Sequence, residues 1–439
     1  MQQIHIVPRK SLMLFILLIS VGFCKAQFLM DMVDTTKDMG KGILGIYQKF
    51  DRVKLSGYVQ PQWQWAQEKG AKSFNGGDFG TNVNNRFMLR RGRVRIEYIH
   101  FAEKKGPSVQ FVFQFDGSEK GFFTRDFWGR IMENKYQLFS LTAGLFARPF
   151  SYELNLGSGD RESPERGRMS QILTKVERDL GAMVSFEPRK KDHPLRYLKI
   201  DAGFFNGPGL NAIADFDSHK DFISRIALKP YPIAKKITLS AAASYFNGGL
   251  LQSTKYVYET ISVGADKKMI VDSALSNNGK IAPRKYYGAD AQLKFEHKAG
   301  VTELRAEFVF GTQTGTENSS EPPAALLAGT DGYYIRKFNG AYFYLLQNIF
   351  NPHHQLCIKY DWFDANTKVK GDEIGKAGNN LNAANIKYST LGLGYIYYVT
   401  ENLKLVLWYD KVHNEKTSLP GYTGDVKDDV FTCRLQFRF

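Results

Sequence analysis

The feature that most constrains this chain is a run of short segments alternating apolar and polar residues, joined by connections sorted by length. Sixteen follow Arg52: Lys54–Ala66, Arg86–His100, Pro107–Gly117, Phe122–Met132, Tyr136–Arg148, Arg178–Glu187, Tyr197–Asn206, Lys220–Lys229, Lys236–Phe246, Arg284–His297, Val301–Thr312, Asn339–Ile349, His353–Ala365, Ile386–Val399, Asn402–Asn414 and Asp428–Phe439. Successive side chains of a strand point to opposite faces, so each segment presents one apolar and one polar face. Links after even-numbered segments are mostly tight, as at Lys298-Ala299-Gly300 and Thr400-Glu401. Links after odd-numbered ones are mostly long: Gln67–Asn85, Pro149–Glu177, Asn247–Pro283, Gln313–Phe338 and Asn366–Asn385, with Ser118–Gly121 the exception. A soluble β-sandwich has no reason to sort its connections. A membrane barrel does, with short turns at one rim, long loops at the other and an even strand number. The expected fold is therefore all-β: a transmembrane antiparallel β-barrel of sixteen strands, with lipid outside and water inside.

Within Arg86–His100, Arg91, Arg93, Arg95 and Glu97 share one face, and Gly92, Val94, Ile96 and Tyr98 share the other. Same-face neighbours lie roughly 6.5–7 Å apart, so three guanidiniums in file repel one another unless water or anions stand beside them. On a lipid face at the bilayer midplane each would cost ~2–4 kcal/mol. That magnitude assigns Arg91, Arg93, Arg95, Arg130, Arg148, Lys199, Arg225, Arg305, Lys359, Lys404 and Arg434 to the lumen. Rings of Lys and Arg in a constriction favour anions, and the planar fork of Arg matches two oxygens of a phosphate. Glu97, Asp116, Asp201, Asp290, Glu296, Glu303, Glu307, Asp361 and Asp410 alternate onto the same interior. A single lumen arginine is thus expected to pair across the wall, whereas the Arg91–Arg95 file is expected to line an ion path. Arg90 falls on the lipid-side register near the extracellular rim, within reach of lipid phosphates.

Three segments are expected: a signal peptide at 1–26, an N-terminal periplasmic lead-in at 27–52 and the barrel at 53–439. Arg9 and Lys10 precede the apolar run Ser11–Phe23, and Cys24-Lys25-Ala26 offers small residues where a signal peptidase cuts, before Gln27. That run is too short to span a bilayer, which takes ~20 apolar residues; Phe23 is too bulky for a lipoprotein signal at Cys24. Beyond it no helical span of 18 apolar residues occurs. The aromatic share of 14%, with 33 Phe and 23 Tyr, suits the aromatic girdles of a barrel. Losing Arg9, Lys10 and Lys25, with no acid in the segment, takes the formal charge from +15 to +12. A basic exported chain suits anionic partners; no nucleic-acid module is recognisable. Cys357 and Cys433 fall on opposite faces of their strands, which argues against a disulfide between them.

In the final segment Phe431, Cys433, Leu435, Phe437 and the terminal Phe439 share a face, a pattern resembling the signal that barrel-assembly machinery reads. Along the chain, Arg90-Arg91-Gly92-Arg93-Val94-Arg95, Gly144-Leu145-Phe146-Ala147-Arg148-Pro149-Phe150 with Glu153, Arg178-Asp179-Leu180-Gly181, Phe204-Phe205-Asn206-Gly207 with Lys220-Asp221 and Arg225, Thr390-Leu391-Gly392-Leu393-Gly394-Tyr395, and Leu435-Gln436-Phe437-Arg438-Phe439 follow in order. Together they resemble the phosphate-selective porin O/P family of Gram-negative outer membranes. The resemblance implies a sixteen-stranded porin, commonly trimeric, whose arginine-lined lumen passes anions such as phosphate or polyphosphate. It departs at Ala147, where the family usually has Lys; the basic residue stands instead at Arg148, on the opposite face. In sixteen-stranded porins the third outward loop, here Pro149–Glu177 with Arg161, Arg166, Arg168 and Lys175, commonly folds inward; a plain surface loop is the alternative.

The expected function is passive diffusion of small anions, along Arg91, Arg93, Arg95, Arg130, Arg148, Arg225, Arg305, Lys404 and Arg434. Expected partners are outer-membrane lipid and lipopolysaccharide, the assembly machinery and two further copies in a homotrimer. No cofactor or metal is expected: His353 and His354 are neighbours on a strand and point apart. No enzymatic arrangement of His with Ser or Cys is recognisable. The alternatives are a general diffusion pore without phosphate selectivity, or a barrel that binds or catalyses at its surface through its loops.

Overall fold

A computed structural model describes residues 52–102, 106–212 and 214–439. The signal peptide and nearly all of the periplasmic lead-in lie outside the described residues. From Val53 the chain forms β1 (Val53–Ala66), β2 (Asn85–His100), β3 (Ser108–Ser118), β4 (Gly121–Met132), β5 (Phe139–Ala147), β6 (Arg178–Phe186), β7 (Leu198–Phe205), β8 (Asp221–Ala234) and β9 (Ile237–Leu251). A hairpin, β10 (Val257–Val263) and β11 (Asp266–Asp272), precedes β12 (Ile281–His297), β13 (Gly300–Gly315), β14 (Tyr333–Asn348), β15 (His354–Asp364), β16 (Tyr388–Thr400), β17 (Leu403–Asn414) and β18 (Val430–Arg438).

Each strand pairs antiparallel with its sequence neighbours, except that β9 pairs directly with β12 and passes over the hairpin. β18 returns to β1, with Val59 opposite Phe437 and Ala66 opposite Val430. Closure leaves the barrel wall without a free edge among the described residues. The eighteen strands of the sheet less the two of the hairpin make a sixteen-stranded barrel, and every segment expected from alternation is one of its staves. Phe439 completes the seam: its amide donates to the Gly57 carbonyl at 3.1 Å, and Gly57 donates back to the Phe439 carbonyl at 3.0 Å.

Alternation sets the faces. Val94, Ile96, Phe111, Phe113, Val184, Ile226, Phe308 and Ile358 project outward and are exposed, an apolar surface far too large for a soluble protein and suited to lipid. Cys357 is buried inside and Cys433 lies on the outer face, both free. His353 and His354 engage the Tyr398 carbonyl and the Tyr395 hydroxyl respectively.

The long connections fold rather than trail. The hairpin escaped sequence reading because it lies inside Asn247–Pro283. It lays β10 parallel to the top of β14, with Val257 opposite Tyr333, and stacks Tyr258 on Tyr334 at 4.2 Å. Met269 packs there with Ile374, Leu381 and Ile386 from the loop before β16. A second small apolar core thus forms among the extracellular loops.

Candidate functional site

Between β5 and β6 the chain turns into the barrel. Ser151 caps the short helix α1 (Tyr152–Asn155), its Oγ accepting from the Leu154 amide at 3.4 Å. A second short helix, α2 (Arg168–Leu173), precedes the return to β6. Between them the segment meets the cations of the wall. Glu165, 4% exposed, takes Arg90 at 2.8 Å, Arg91 at 2.6 Å and Arg434 at 2.9 Å. Burial alone would raise its pKa; Arg90, Arg91 and Arg434 instead hold it well below the usual carboxylate range. Glu162 meets Arg305 at 3.0 Å. The Ser158 Oγ accepts from Arg93 at 2.6 Å, and Lys404 donates to the carbonyls of Gly159 and Arg161, each at 3.2 Å. The third outward loop is therefore folded into the lumen and clamped by side chains that, Arg90 apart, alternation had placed there.

Its other flank is held differently. Phe150, Leu154, Met169 and Leu173 of the loop pack with inward-facing Met183, Phe205, Ile223, Phe246, Val309 and Phe363 of the wall. Ile223 and Phe205 are completely buried. This corrects the expectation of a uniformly polar interior. Where the loop covers the wall there is no water to satisfy, and an apolar inward face gains ~25 cal/mol per Å² removed from water. A second interior cluster comprises Tyr342, Tyr344, Leu346, Cys357, Ile396, Val406 and Trp408, and the loop meets it where the Ser163 and Tyr344 hydroxyls hydrogen-bond at 2.8 Å.

The structure distributes the expected site residues among distinct tasks. Arg91, Arg305, Lys404 and Arg434 hold the loop. Arg93 bridges Ser158 and Asp116, the latter at 2.8 Å. Arg95 meets Glu97 at 3.1 Å and keeps 31% of its side chain exposed. Arg225 pairs with Asp290 at 2.6 Å, Lys359 with Asp361 at 2.8 Å and Lys199 with Asp201 at 3.2 Å. Arg148 is buried, donating to the Gly207 carbonyl at 3.1 Å and facing Asp179 at 3.7 Å. Nearby, Arg284 and Asp221 form a fully buried pair at 3.3 Å. Arg148 is thus a strut in the wall, not a group facing open water. Arg130 differs from all of these. It donates to the Thr142 Oγ1 at 2.8 Å and lies 5.0 Å over the Trp128 ring, with no salt-bridged carboxylate among the described residues.

Within the loop, Arg161 donates to the Leu156 carbonyl at 3.2 Å. Arg166 binds the carbonyls of Ser170, Thr174 and Lys175 and stands 3.5 Å from Glu177. Lys175 reaches Glu321 at 2.9 Å. Arg168 lies between Phe74, at 4.5 Å, and Tyr388, at 3.6 Å, with Asp428 at 3.8 Å. Burial raises the Asp428 carboxyl to about 6 despite Arg168. Arg168, Lys175, Tyr388 and Asp428 border a vestibule of about 950 Å³, which Lys69, Lys72 and Lys427 also line.

Two inward arginines were missed because strict alternation fails at them. Arg86 and Met88 face Gln64 and Gln62 inside, and further along Arg91 and Arg93 face Gln60 and Tyr58 inside. The inward parity therefore switches between Arg90 and Arg91, and Arg90 turns to Glu165 rather than to lipid phosphates. In β4 the register slips between Gln114 and Phe115 of its partner. That bulge lets Arg125 join Asp126 inside and reach Glu177 at 3.2 Å. Adjacent charged residues within one strand, Arg90-Arg91 and Arg125-Asp126, were the available signal: without a bulge one member faces lipid. Arg336, buried on the carbonyls of Thr316, Glu317 and Ser319, had no such signal.

Comparison with known proteins agrees with this geometry. The outer membrane channel DcaP of Acinetobacter baumannii is 14% identical over 88% of this chain and 97% of its own, with a TM-score of 0.50. OmpF of Salmonella typhi, solved in complex with daunomycin, is 11% identical over 88% of this chain and 97% of its own, also at 0.50. At such identity the likeness speaks for the fold alone. No match was found among curated proteins. Residues 353–439, from β15 to the C-terminus, match the family model described as phosphate-selective porin O and P. That partial match and the closed sixteen-stranded barrel accord with the resemblance to the phosphate-selective porin O/P family and with a place in the Gram-negative outer membrane.

Proposed function

We propose that this channel passes small anions, phosphate and polyphosphate among them, by passive diffusion and without catalysis. The observation that carries the reading is Arg130, a lumen guanidinium that no carboxylate among the described residues approaches to salt-bridge distance. Arg95, partly exposed beside Trp128 at 5.9 Å, and the vestibule residues Lys69 and Lys72 extend the cationic lining on either side of the loop. Several moderate cationic stations conduct better than one tight site, because an ion must also leave. Arg91, Arg93, Arg225, Arg305, Lys404 and Arg434 act on the path at one remove, by fixing the loop that shapes it or by balancing the acids of the wall. Arg148 contributes only to the wall. The functional unit in this proposal is a homotrimer, and the C-terminal strand ending in Phe439 is what the assembly machinery recognises.

The test is the reversal potential of a planar bilayer under a salt gradient. Anion selectivity that falls when Arg130 and Arg95 are replaced by Ala supports the reading; a cation-selective pore refutes it. Chloride current that is insensitive to added phosphate points instead to a general diffusion pore.

A further inference from the structure

The outer face of the barrel carries a feature that conduction does not use. Lys285 on β12, Thr312 on β13 and Lys337 on β14 stand directly opposite one another in register. All three point away from the lumen, because their neighbours Arg284, Tyr286, Gln313, Arg336 and Phe338 are buried inside. Both lysines are exposed, and neither is salt-bridged to a carboxylate among the described residues. Two strand spacings, about 10 Å, separate their backbones. The Lys337 ammonium donates to the Thr312 Oγ1 at 2.7 Å and so leans toward Lys285. Asp364 shares this face opposite Asn339, with Lys387 as the cation acting on its carboxylate.

Below the lysines the wall becomes apolar and concave. Tyr287, Phe308 and Phe310 line a groove of about 610 Å³ that also touches Lys285 and Lys337. Further down the same strands a second groove of about 420 Å³ has Ala291 and Ala306 side by side in register, with Phe343 and then Tyr360 next to Ala306 along one flank. From Lys285 to Ala291 is about 20 Å along the strand. At a strand tilt of ~45° that descends ~14 Å, close to half of a ~25 Å apolar band. These strands enter from the long-loop rim, so the lysines stand at headgroup height of the outer leaflet, with aromatic residues immediately beneath them.

We propose that this face is a binding site for a phosphorylated glycolipid of the outer leaflet, lipopolysaccharide. Lys285 and Lys337 hold a phosphate of its lipid anchor, and an acyl chain lies along the alanine-floored groove. Charge complementarity selects this occupant. Another copy of the barrel would bring apolar surface to the groove but would leave both ammoniums uncompensated at the edge of the hydrocarbon. The inference rests on the placement of the barrel in its membrane and not on the ions it conducts.

The test is retention of lipid by the purified full-length protein, read by native mass spectrometry after titration with lipid A in detergent. Wild type is expected to bind lipid A at least tenfold more tightly than its dephosphorylated form, with inorganic phosphate failing to compete. K285A/K337A should lose at least tenfold, and A291W, which fills the groove and leaves the lysines in place, should lose several-fold. Heat-modifiable gel mobility and conductance should stay unchanged in both variants, which separates this outcome from failure of the channel reading or of folding. Equal affinity for the two lipid forms, or unaltered binding by K285A/K337A, overturns the proposal. So does competition by inorganic phosphate, which would mark a simple anion site. Cysteine cross-linking between copies through Phe343 in the native membrane would show that another protomer covers the groove, and overturns it equally.

Discussion

Replacing Glu165 by Gln tests the central element of the site. The Glu165 carboxylate is 4% exposed and faces Arg91, Arg434 and Arg90, whose side chains are 9%, 3% and 27% exposed. Gln preserves shape and removes the charge, leaving three guanidiniums against a neutral amide. Removing one partner of a buried ion pair costs ~3–5 kcal/mol, because the other charge stays buried and uncompensated. Arg90 reaches water and adds little, so the lower end of that range applies. The docked loop is then weakened by about 3 kcal/mol, roughly a hundredfold in the undocked population at 1.4 kcal/mol per decade. Glu162, Ser158 and the apolar anchor of Phe150 and Leu154 remain, so the barrel itself stays folded. Single-channel recording should show more frequent transitions to a larger conductance. The anion preference should rise as well, since the clamp now carries an uncompensated positive charge. R434A removes one cation from the same clamp, so it should raise the transition frequency without that gain in preference. If E165Q and R434A both conduct like wild type, without added transitions, the loop is not held by this clamp and the reasoning fails.

Other expectations follow from the same geometry. R130A should move the reversal potential toward zero at low salt and have less effect at 1 M, where the Debye length falls to about 3 Å. F205A, at a completely buried position in the apolar anchor, should cost ~3–5 kcal/mol and lower the temperature of the heat-modifiable gel shift. Asp428, raised by burial to about 6 from 3.8, binds its proton more tightly in the packed loop than in a released one. Packing of the loop before β18 should therefore weaken as pH rises from 4 to 6 and level off above that. Limited proteolysis of that loop across this range should show the dependence, and D428N should abolish it. Ala at Gly144, whose φ is +123° and whose Cβ would sit 2.4 Å from the Phe127 carbonyl, should impair barrel formation, read as loss of the folded gel band.

The sequence by itself determined the barrel. Sixteen alternating segments, connections sorted by length and a terminal Phe439 leave little else for the chain to become, because apolar faces this extensive need lipid and the strands they belong to need closure. It also determined which face most charged residues take, since a guanidinium in hydrocarbon costs more than any local preference returns. The tertiary structure decided how those charges are spent. Arg91, Arg305 and Arg434 read as a path for ions until the third outward loop brings Glu162 and Glu165 to them from far along the chain. Ile223 and Phe205 look out of place in a lumen until Phe150 and Leu154 cover them. Arg90 and Arg125 look lipid-facing until a change of strand parity turns them inward. Pairing partners distant in sequence, and single-residue slips of register, leave no period in the chain to read; they are fixed only when the wall has closed and the loop has found its place inside it.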